Sequence, residues 1–80
     1  MEKITIIEEG REIEYDLLFT VKDEQKNRKF VVYTDLKDPN LDIYAALYDE
    51  DKKQIDYIKD KKDQEMIAKI LETIKERNKK

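Results

Sequence analysis

The chain has 80 residues, 46% of them charged, a net charge of −3, and neither cysteine nor histidine. This length suits one small domain, and the missing residue types exclude disulfide bonds, thiolate chemistry, and the commonest general base and zinc ligand. No run approaches the ~20 apolar residues of a membrane-spanning helix, and the N-terminus lacks the apolar core of a signal peptide. We therefore expect a folded cytoplasmic protein that does not enter a membrane.

The first two predicted strands form a hairpin. Apolar and polar residues alternate from Lys3 to Glu8, and the only glycine, Gly10, follows where a tight turn favours positive φ. In the second strand, from Glu12 to Lys22, the odd positions beginning at Ile13 are apolar and the even ones are mostly polar. One face of this strand is therefore expected to be buried, under the C-terminal helix. Leu18 is the exception to the alternation.

Three further strands are predicted after the hairpin. The third, Lys29 to Asp35, follows a polar turn and is rich in β-branched and aromatic residues. The fourth, Asp42 to Asp49, follows a loop that contains the only proline, Pro39. Both faces of this strand carry apolar residues, so periodicity does not tell which one is buried. The fifth strand, Gln54 to Lys59, is short.

The C-terminal segment has the pattern of an amphipathic helix. Asp60 stands at the N-cap position, and Asp63 completes an acidic variant of the capping box. The apolar residues that follow at helical spacing are Met66, Ile67, Ile70, Leu71 and Ile74. The chain is therefore predicted to be a single α+β domain over residues 1–80, in which a five-strand antiparallel meander sheet has the helix packed on one face.

The hairpin and the fourth strand also resemble a known family. The run LLFTVKDEQKNRKFVVYTDL, followed by IYAALYDE and an amphipathic helix, is similar to the YrzB-like family of short acidic bacterial proteins, a domain of unknown function. The resemblance covers nearly the whole chain. Its most specific part is Leu18-Phe19-Thr20 paired with a strand that starts at Phe30. The family has no established activity, so the resemblance implies only a fold and a compartment.

Groups suited to catalysis or metal binding are scarce. Serine, cysteine and histidine are all absent, so a threonine nucleophile would have only Lys, Asp or Glu as its base. The acidic groups Asp49-Glu50-Asp51 and Asp35, Asp38, Asp42 lack the spacing and the glycine of a calcium loop. A single glycine also excludes a Gly-rich phosphate-binding loop. We predict no catalytic residues, no metal site, no cofactor and no enzymatic activity.

The remaining function is binding to another protein. If the helix covers one face of the sheet, the other face is left for a partner, and tyrosines are enriched in interface cores. The predicted partner-binding residues are Leu18, Val31, Tyr33, Tyr44 and Tyr48. The sequence thus indicates a small acidic interaction module or accessory protein of unknown cellular role, which binds another protein or a second copy through its helix-free face.

An alternative function follows from the distribution of charge. Residues 1–60 carry 10 basic and 16 acidic side chains, whereas residues 61–80 carry 7 basic and 4 acidic ones. The basic helix end with Lys75, Arg77, Lys79 and Lys80 could contact nucleic acid weakly, although cations there also complement the helix dipole. Because the sheet is acidic and phosphate binding needs a basic face, nucleic acid is the disfavoured partner. A third possibility is that the acidic part of the chain, residues 1–60, mimics nucleic acid. The net charge of −3 is too small to favour it.

Overall fold

The computed structural model describes residues 2–77, with side chains up to residue 74. It contains the elements β1 (Lys3–Glu8), β2 (Arg11–Asp23), β3 (Arg28–Thr34), β4 (Ile43–Asp49), β5 (Gln54–Asp56) and α1 (Lys61–Arg77). The strands lie in the sheet in sequence order, and each neighbouring pair is antiparallel. The α+β class and the meander with a C-terminal helix are therefore confirmed. The fifth strand is shorter than predicted and ends at Asp56.

A two-residue turn joins β1 to β2. Glu9 has a φ of 51° and Gly10 has a φ of 77°. The pair Glu8 and Arg11 closes the hairpin on either side of them. A turn of this length matches the twist of the strands when both central residues have positive φ, a conformation that costs glycine little. The predicted role of Gly10 is thus confirmed.

A β-bulge at Leu18 divides β2 into two halves. Leu17 pairs with Tyr33, whereas Phe19 pairs with Val32, so Leu18 is an extra residue with no partner of its own. Before the bulge the odd positions share a face with Tyr33, and after it they share the opposite face with Val32. The expectation that all odd positions of this strand form one face is therefore wrong, and so is the placement of Leu17 under the helix.

The sheet curls until its first strand meets the start of its last one. The backbone N–H of Ile7 donates to the carbonyl of Lys53 at 2.7 Å. Oη of Tyr48 donates to the carbonyl of Thr5 at 2.8 Å. The concave face therefore encloses a core made of Ile4, Ile6, Val31, Tyr33 and Ala46. Four partly buried residues pack against it: Tyr15, Leu17, Tyr48 and Ile55.

The helix lies on the convex face. Phe30 and Val32 point to that face and are nevertheless buried, as is Ile67 on the helix. Oδ1 of Asp60 accepts the backbone N–H of Lys62 at 2.8 Å, which confirms the predicted N-cap. The protein thus has two apolar layers, one inside the curl and a smaller one between the helix and the sheet.

Arg28 connects the helix to the sheet. Its Nη1 and Nη2 donate to the two carboxylate oxygens of Asp63 at 2.9 and 3.3 Å, and Nη2 also donates to Asp23 at 2.8 Å. Its guanidinium carbon lies 5.1 Å from the centre of the Phe30 ring. Asp63 therefore anchors the helix through a two-pronged ion pair, rather than serving in the capping box predicted for it.

Candidate functional site

The five predicted partner-binding residues do not form one open surface. Val31 is fully buried and Tyr33 is only 5% exposed, because both face the interior of the curl. Leu18 is half-buried at the bulge, and Tyr48 is half-buried with its hydroxyl bonded to the backbone of β1. Tyr44, at 41%, is the one exposed member of this set. The curl turns most of the helix-free face into core, so Val31 is corrected from a surface residue to a core residue.

Three tyrosines from neighbouring strands form a continuous row across the concave face. The ring centres of Tyr15 and Tyr33 are 5.0 Å apart, and those of Tyr33 and Tyr44 are 5.6 Å apart. Tyr33 and Tyr44 are direct cross-strand partners, and Tyr15 lies two residues before Leu17, which pairs with Tyr33. We call Tyr15, Tyr33 and Tyr44 the tyrosine ladder. Such ring pairs contribute about 0.5–1.5 kcal/mol each beyond the burial of area.

The hydroxyl groups of the ladder differ in their surroundings. Oη of Tyr15 donates to Oε1 of Glu8 at 3.0 Å. Within residues 2–74, the only enclosed side-chain nitrogen or oxygen without a partner is Nε of Arg28. None of the side-chain hydrogen bonds within residues 2–74 involves Oη of Tyr33, and this residue is only 5% exposed. The ladder thus presents one exposed ring, that of Tyr44.

Negative charge converges on the ladder. Burial, followed by the hydrogen bond to Glu8, raises the pKa of Tyr15 to about 12, and burial with the charge of Glu8 raises the pKa of Tyr33 to about 12. Burial also raises the pKa of Tyr44, and the carboxylates that add to this rise are Asp42, Asp38, Asp35 and Glu8. We call Glu8, Asp35, Asp38 and Asp42 the acidic rim. The ladder hydroxyls are therefore neutral at physiological pH.

The acidic rim has no ion-pair partner among the residues whose side chains are described. The ion pairs there are Lys3–Asp16, Arg28–Asp23, Arg28–Asp63, Lys29–Glu50 and Lys53–Glu12. Two rim carboxylates accept backbone N–H groups instead: Asp35 binds that of Lys37, and Asp38 binds that of Asn40, each at 2.9 Å. These bonds hold the loop between β3 and β4 in shape, but they leave its negative charge without a counter-charge.

A small apolar groove lies where the start of β4 meets the helix. It has a volume of about 410 Å³ and is lined by Leu41, Asp42, Ile43, Tyr44 and the helix residue Leu71. Leu41 is 54% exposed, which is high for a leucine side chain beside other apolar groups. Ile43 and Tyr44 are consecutive in β4, so their side chains point to opposite faces of the sheet. The groove therefore lies on the helix side, away from the Tyr44 ring that contacts Tyr33.

A larger open groove of about 910 Å³ lies at the opposite end of β3 and β4. Four of the residues at this end form ion pairs: Lys29 with Glu50, and Arg28 with Asp23. Within the described part of the chain, no three acidic side chains come together in a way that could hold a metal ion. This groove consequently has little unbalanced charge to offer a ligand.

The sequence did not reveal Tyr15 or Glu8 as site residues. In the sequence, Tyr15 is one of several apolar residues that alternate along β2, and Glu8 is the polar residue that ends β1. Their proximity depends on the strand register and on the curl of the sheet, which are properties of the fold. Tyr15 lies two residues before Leu17, which pairs with Tyr33, so Tyr15 and Tyr33 share a face of the sheet. This spacing identifies Tyr15 only once the pairing of β2 with β3 is known.

Comparisons with known proteins assign no family to this chain. No family model matches it, and no significant match exists among curated proteins or solved structures. The resemblance to the YrzB-like family therefore stays a prediction. Among residues 2–77, no helix is both long enough and apolar enough to span a membrane.

Proposed function

We propose that this chain is a non-enzymatic protein-interaction module whose binding surface centres on Tyr44. The observation that supports this is the exposed position of Tyr44 beside the acidic rim, whose carboxylates form no ion pair within the described side chains. A large ring that ends in a hydroxyl is suited to an interface, because it buries apolar area and still forms a hydrogen bond. The expected cytoplasmic location is part of the same proposal.

The absence of enzymatic activity is proposed from the chemistry of the ladder. A tyrosine that acts as a nucleophile or a base needs its hydroxyl to lose a proton readily. Burial and the nearby carboxylates do the opposite here, since they raise the pKa values of Tyr15 and Tyr33 to about 12. Binding is therefore the better use of these groups.

The acidic rim favours a different protein over a second copy as the partner. A two-fold dimer through Tyr44 would place one acidic rim against another, because such an interface brings the same patch of both subunits together. Like charges across an interface oppose association. The rim therefore favours a partner that carries positive charge.

Pull-down from a lysate of the source cells tests the proposal with a matched pair of variants. Tyr44→Ser removes the exposed ring of the ladder, and Tyr57→Ser removes a tyrosine that is 84% exposed and outside the ladder. We expect the wild type and Tyr57→Ser to recover the same partner, and Tyr44→Ser to lose it. Equal recovery by all three proteins would refute the proposed surface.

Sedimentation of the same three proteins distinguishes a second copy from a different partner. A monomer for all of them is expected. A dimer that dissociates on Tyr44→Ser would show that the surface binds another copy of the chain, and would overturn the preference for a positively charged partner.

The nucleic-acid alternative depends on Lys75, Arg77, Lys79 and Lys80, whose side chains lie outside the described residues. It therefore stays a prediction. A phosphate contact would weaken steeply with added salt, and its strength would be independent of Tyr44. A salt titration of any nucleic-acid binding, with the wild type and Tyr44→Ser, separates this alternative from the proposed function.

A further inference from the structure

We propose that the tyrosine ladder and the acidic rim bind the guanidinium group of an arginine side chain on a partner protein. This inference rests on the proposed function and specifies the chemistry of its partner. It depends on two features: the unpaired charge of the rim and the exposed ring of Tyr44.

The charge around Tyr44 favours a cation as the ligand. The four carboxylates of the rim act together on Tyr44, and none of them forms an ion pair within the described side chains. Interfaces arrange their charges so that a negative patch meets a positive one. A partner group that lacks a positive charge would leave this patch uncompensated.

The exposed ring indicates how the cation is held. A cation over the face of a tyrosine is attracted by the ring electrons, and a planar guanidinium also stacks on it. The protein already binds one of its own guanidinium groups in this way. Arg28 lies over the Phe30 ring at 5.1 Å while it forms ion pairs with Asp23 and Asp63. Tyr44 and the rim offer the same combination of a ring and carboxylates, without an internal arginine to occupy it.

Hydrogen bonding favours arginine over other cations. The carboxylates of the rim are hydrogen-bond acceptors, and Asp42 and the ring of Tyr44 are both exposed. A guanidinium presents five N–H donors in one plane, so it can stack on Tyr44 and donate to these acceptors at the same time. A quaternary ammonium has no donor, and a lysine ammonium is a strongly hydrated point charge that does not stack.

Titration of the full chain with short capped peptides, followed by amide NMR shifts, tests the inference. One peptide carries arginines, a second carries lysines in their place, and a third carries citrullines, which keep the shape of arginine without its charge. We expect the arginine peptide to shift the amides of Asp42 and Tyr44. We expect the lysine peptide to bind about threefold more weakly, and the citrulline peptide to cause no shift.

Variants show whether the peptide uses the proposed groups. Tyr44→Ser should weaken the arginine peptide about threefold, and Asp38→Asn combined with Asp42→Asn should weaken it about fivefold at low salt. Tyr57→Ser and Asp51→Asn are the matched controls, because they remove an exposed tyrosine and an exposed loop carboxylate outside the ladder and the rim. Both controls should bind as the wild type does.

Other results would overturn the inference. Equal binding of the citrulline peptide, equal binding of the lysine peptide, or unchanged affinity after loss of Tyr44 would each contradict arginine recognition at this site. If the pull-down depends on Tyr44 while the arginine peptide does not bind, the inference fails and the proposed function stands. If the peptide binds at Tyr44 and the pull-down is independent of it, the proposed function fails instead.

Discussion

The two ends of β3 and β4 differ in whether their carboxylates form ion pairs. At the end formed by the β2–β3 and β4–β5 turns, Arg28 pairs with Asp23 and Lys29 pairs with Glu50. At the other end, the rim carboxylates of the β3–β4 loop have no ion pair within the described side chains, and they lie beside an exposed tyrosine. The β2–β3 and β4–β5 turns together hold three acidic and three basic residues, whereas the β3–β4 loop holds three acidic residues and one lysine. The two ends therefore differ both in net charge and in charge pairing. The paired end stabilises the fold, and the unpaired end is available for a ligand.

The largest expected effect concerns Tyr33, which belongs both to the core and to the unpaired end. Tyr33→Ala should lower the free energy of unfolding by about 3–5 kcal/mol, because it leaves a cavity where an almost fully buried ring stood. Urea unfolding measures this loss. Tyr33→Phe, which removes only the hydroxyl, should stay within about 0.5 kcal/mol of the wild type. A small effect of Tyr33→Ala would mean that the curl does not enclose this ring.

The second-largest expected effect is a loss of protein stability at alkaline pH, caused by the tyrosines of the ladder. The folded state raises the pKa values of Tyr15 and Tyr33 to about 12 from 10.0. The stability that their neutral hydroxyls provide is fully present below pH ~10 and is lost as the pH rises toward ~12. Unfolding midpoints measured between pH 8 and pH 12 should fall along this range. In Tyr15→Phe the decline should be shallower, and an unchanged decline would exclude Tyr15 as its source.

A moderate effect is expected at the paired end. Arg28→Ala removes two ion pairs and the contact with the Phe30 ring, and the thermal midpoint should fall by about 4–8 °C. Arg28→Lys keeps the charge but loses the two-pronged geometry, so its midpoint should lie between those of the wild type and Arg28→Ala. Differential scanning calorimetry measures all three. A midpoint unchanged by Arg28→Ala would contradict the anchoring of the helix by this residue.

The smallest effect is the most direct test of the comparison. Asp42→Asn should leave the thermal midpoint within about 2 °C of the wild type or raise it slightly, because it relieves repulsion within the rim. Asp63→Asn, the matched change at the paired end, should lower the midpoint because Arg28 loses a partner. If both variants were equally destabilised, the distinction between a paired end and an unpaired end would be wrong.

The local features of the fold could be predicted from the sequence. Alternation located the strands, the positive φ that suits Gly10 located the first turn, and Asp60 located the start of the helix. Each of these signals involves residues close together in the chain. The spacing of apolar residues in α1 predicts one apolar side of the helix, and Ile67 on that side is buried.

The candidate site was only partly predictable. Tyr44 was identified, but Val31 and Tyr33 were placed on a surface that the curl encloses. The curl depends on a contact between β1 and the start of β5, which are distant in the sequence and leave no periodic signal. The bulge at Leu18 also reverses the faces of β2, and a one-residue shift moves every later side chain to the other side.

The closing contact between β1 and β5 also bears on solubility. A strand at the edge of a sheet exposes backbone N–H and C=O groups that can pair with another molecule and start aggregation. Here the N–H of Ile7 donates to the carbonyl of Lys53, and the carbonyl of Thr5 accepts the hydroxyl of Tyr48, so one outward N–H and one outward C=O of β1 are occupied. The curl therefore covers part of this edge against pairing with another molecule, without a covering helix or a disulfide bond.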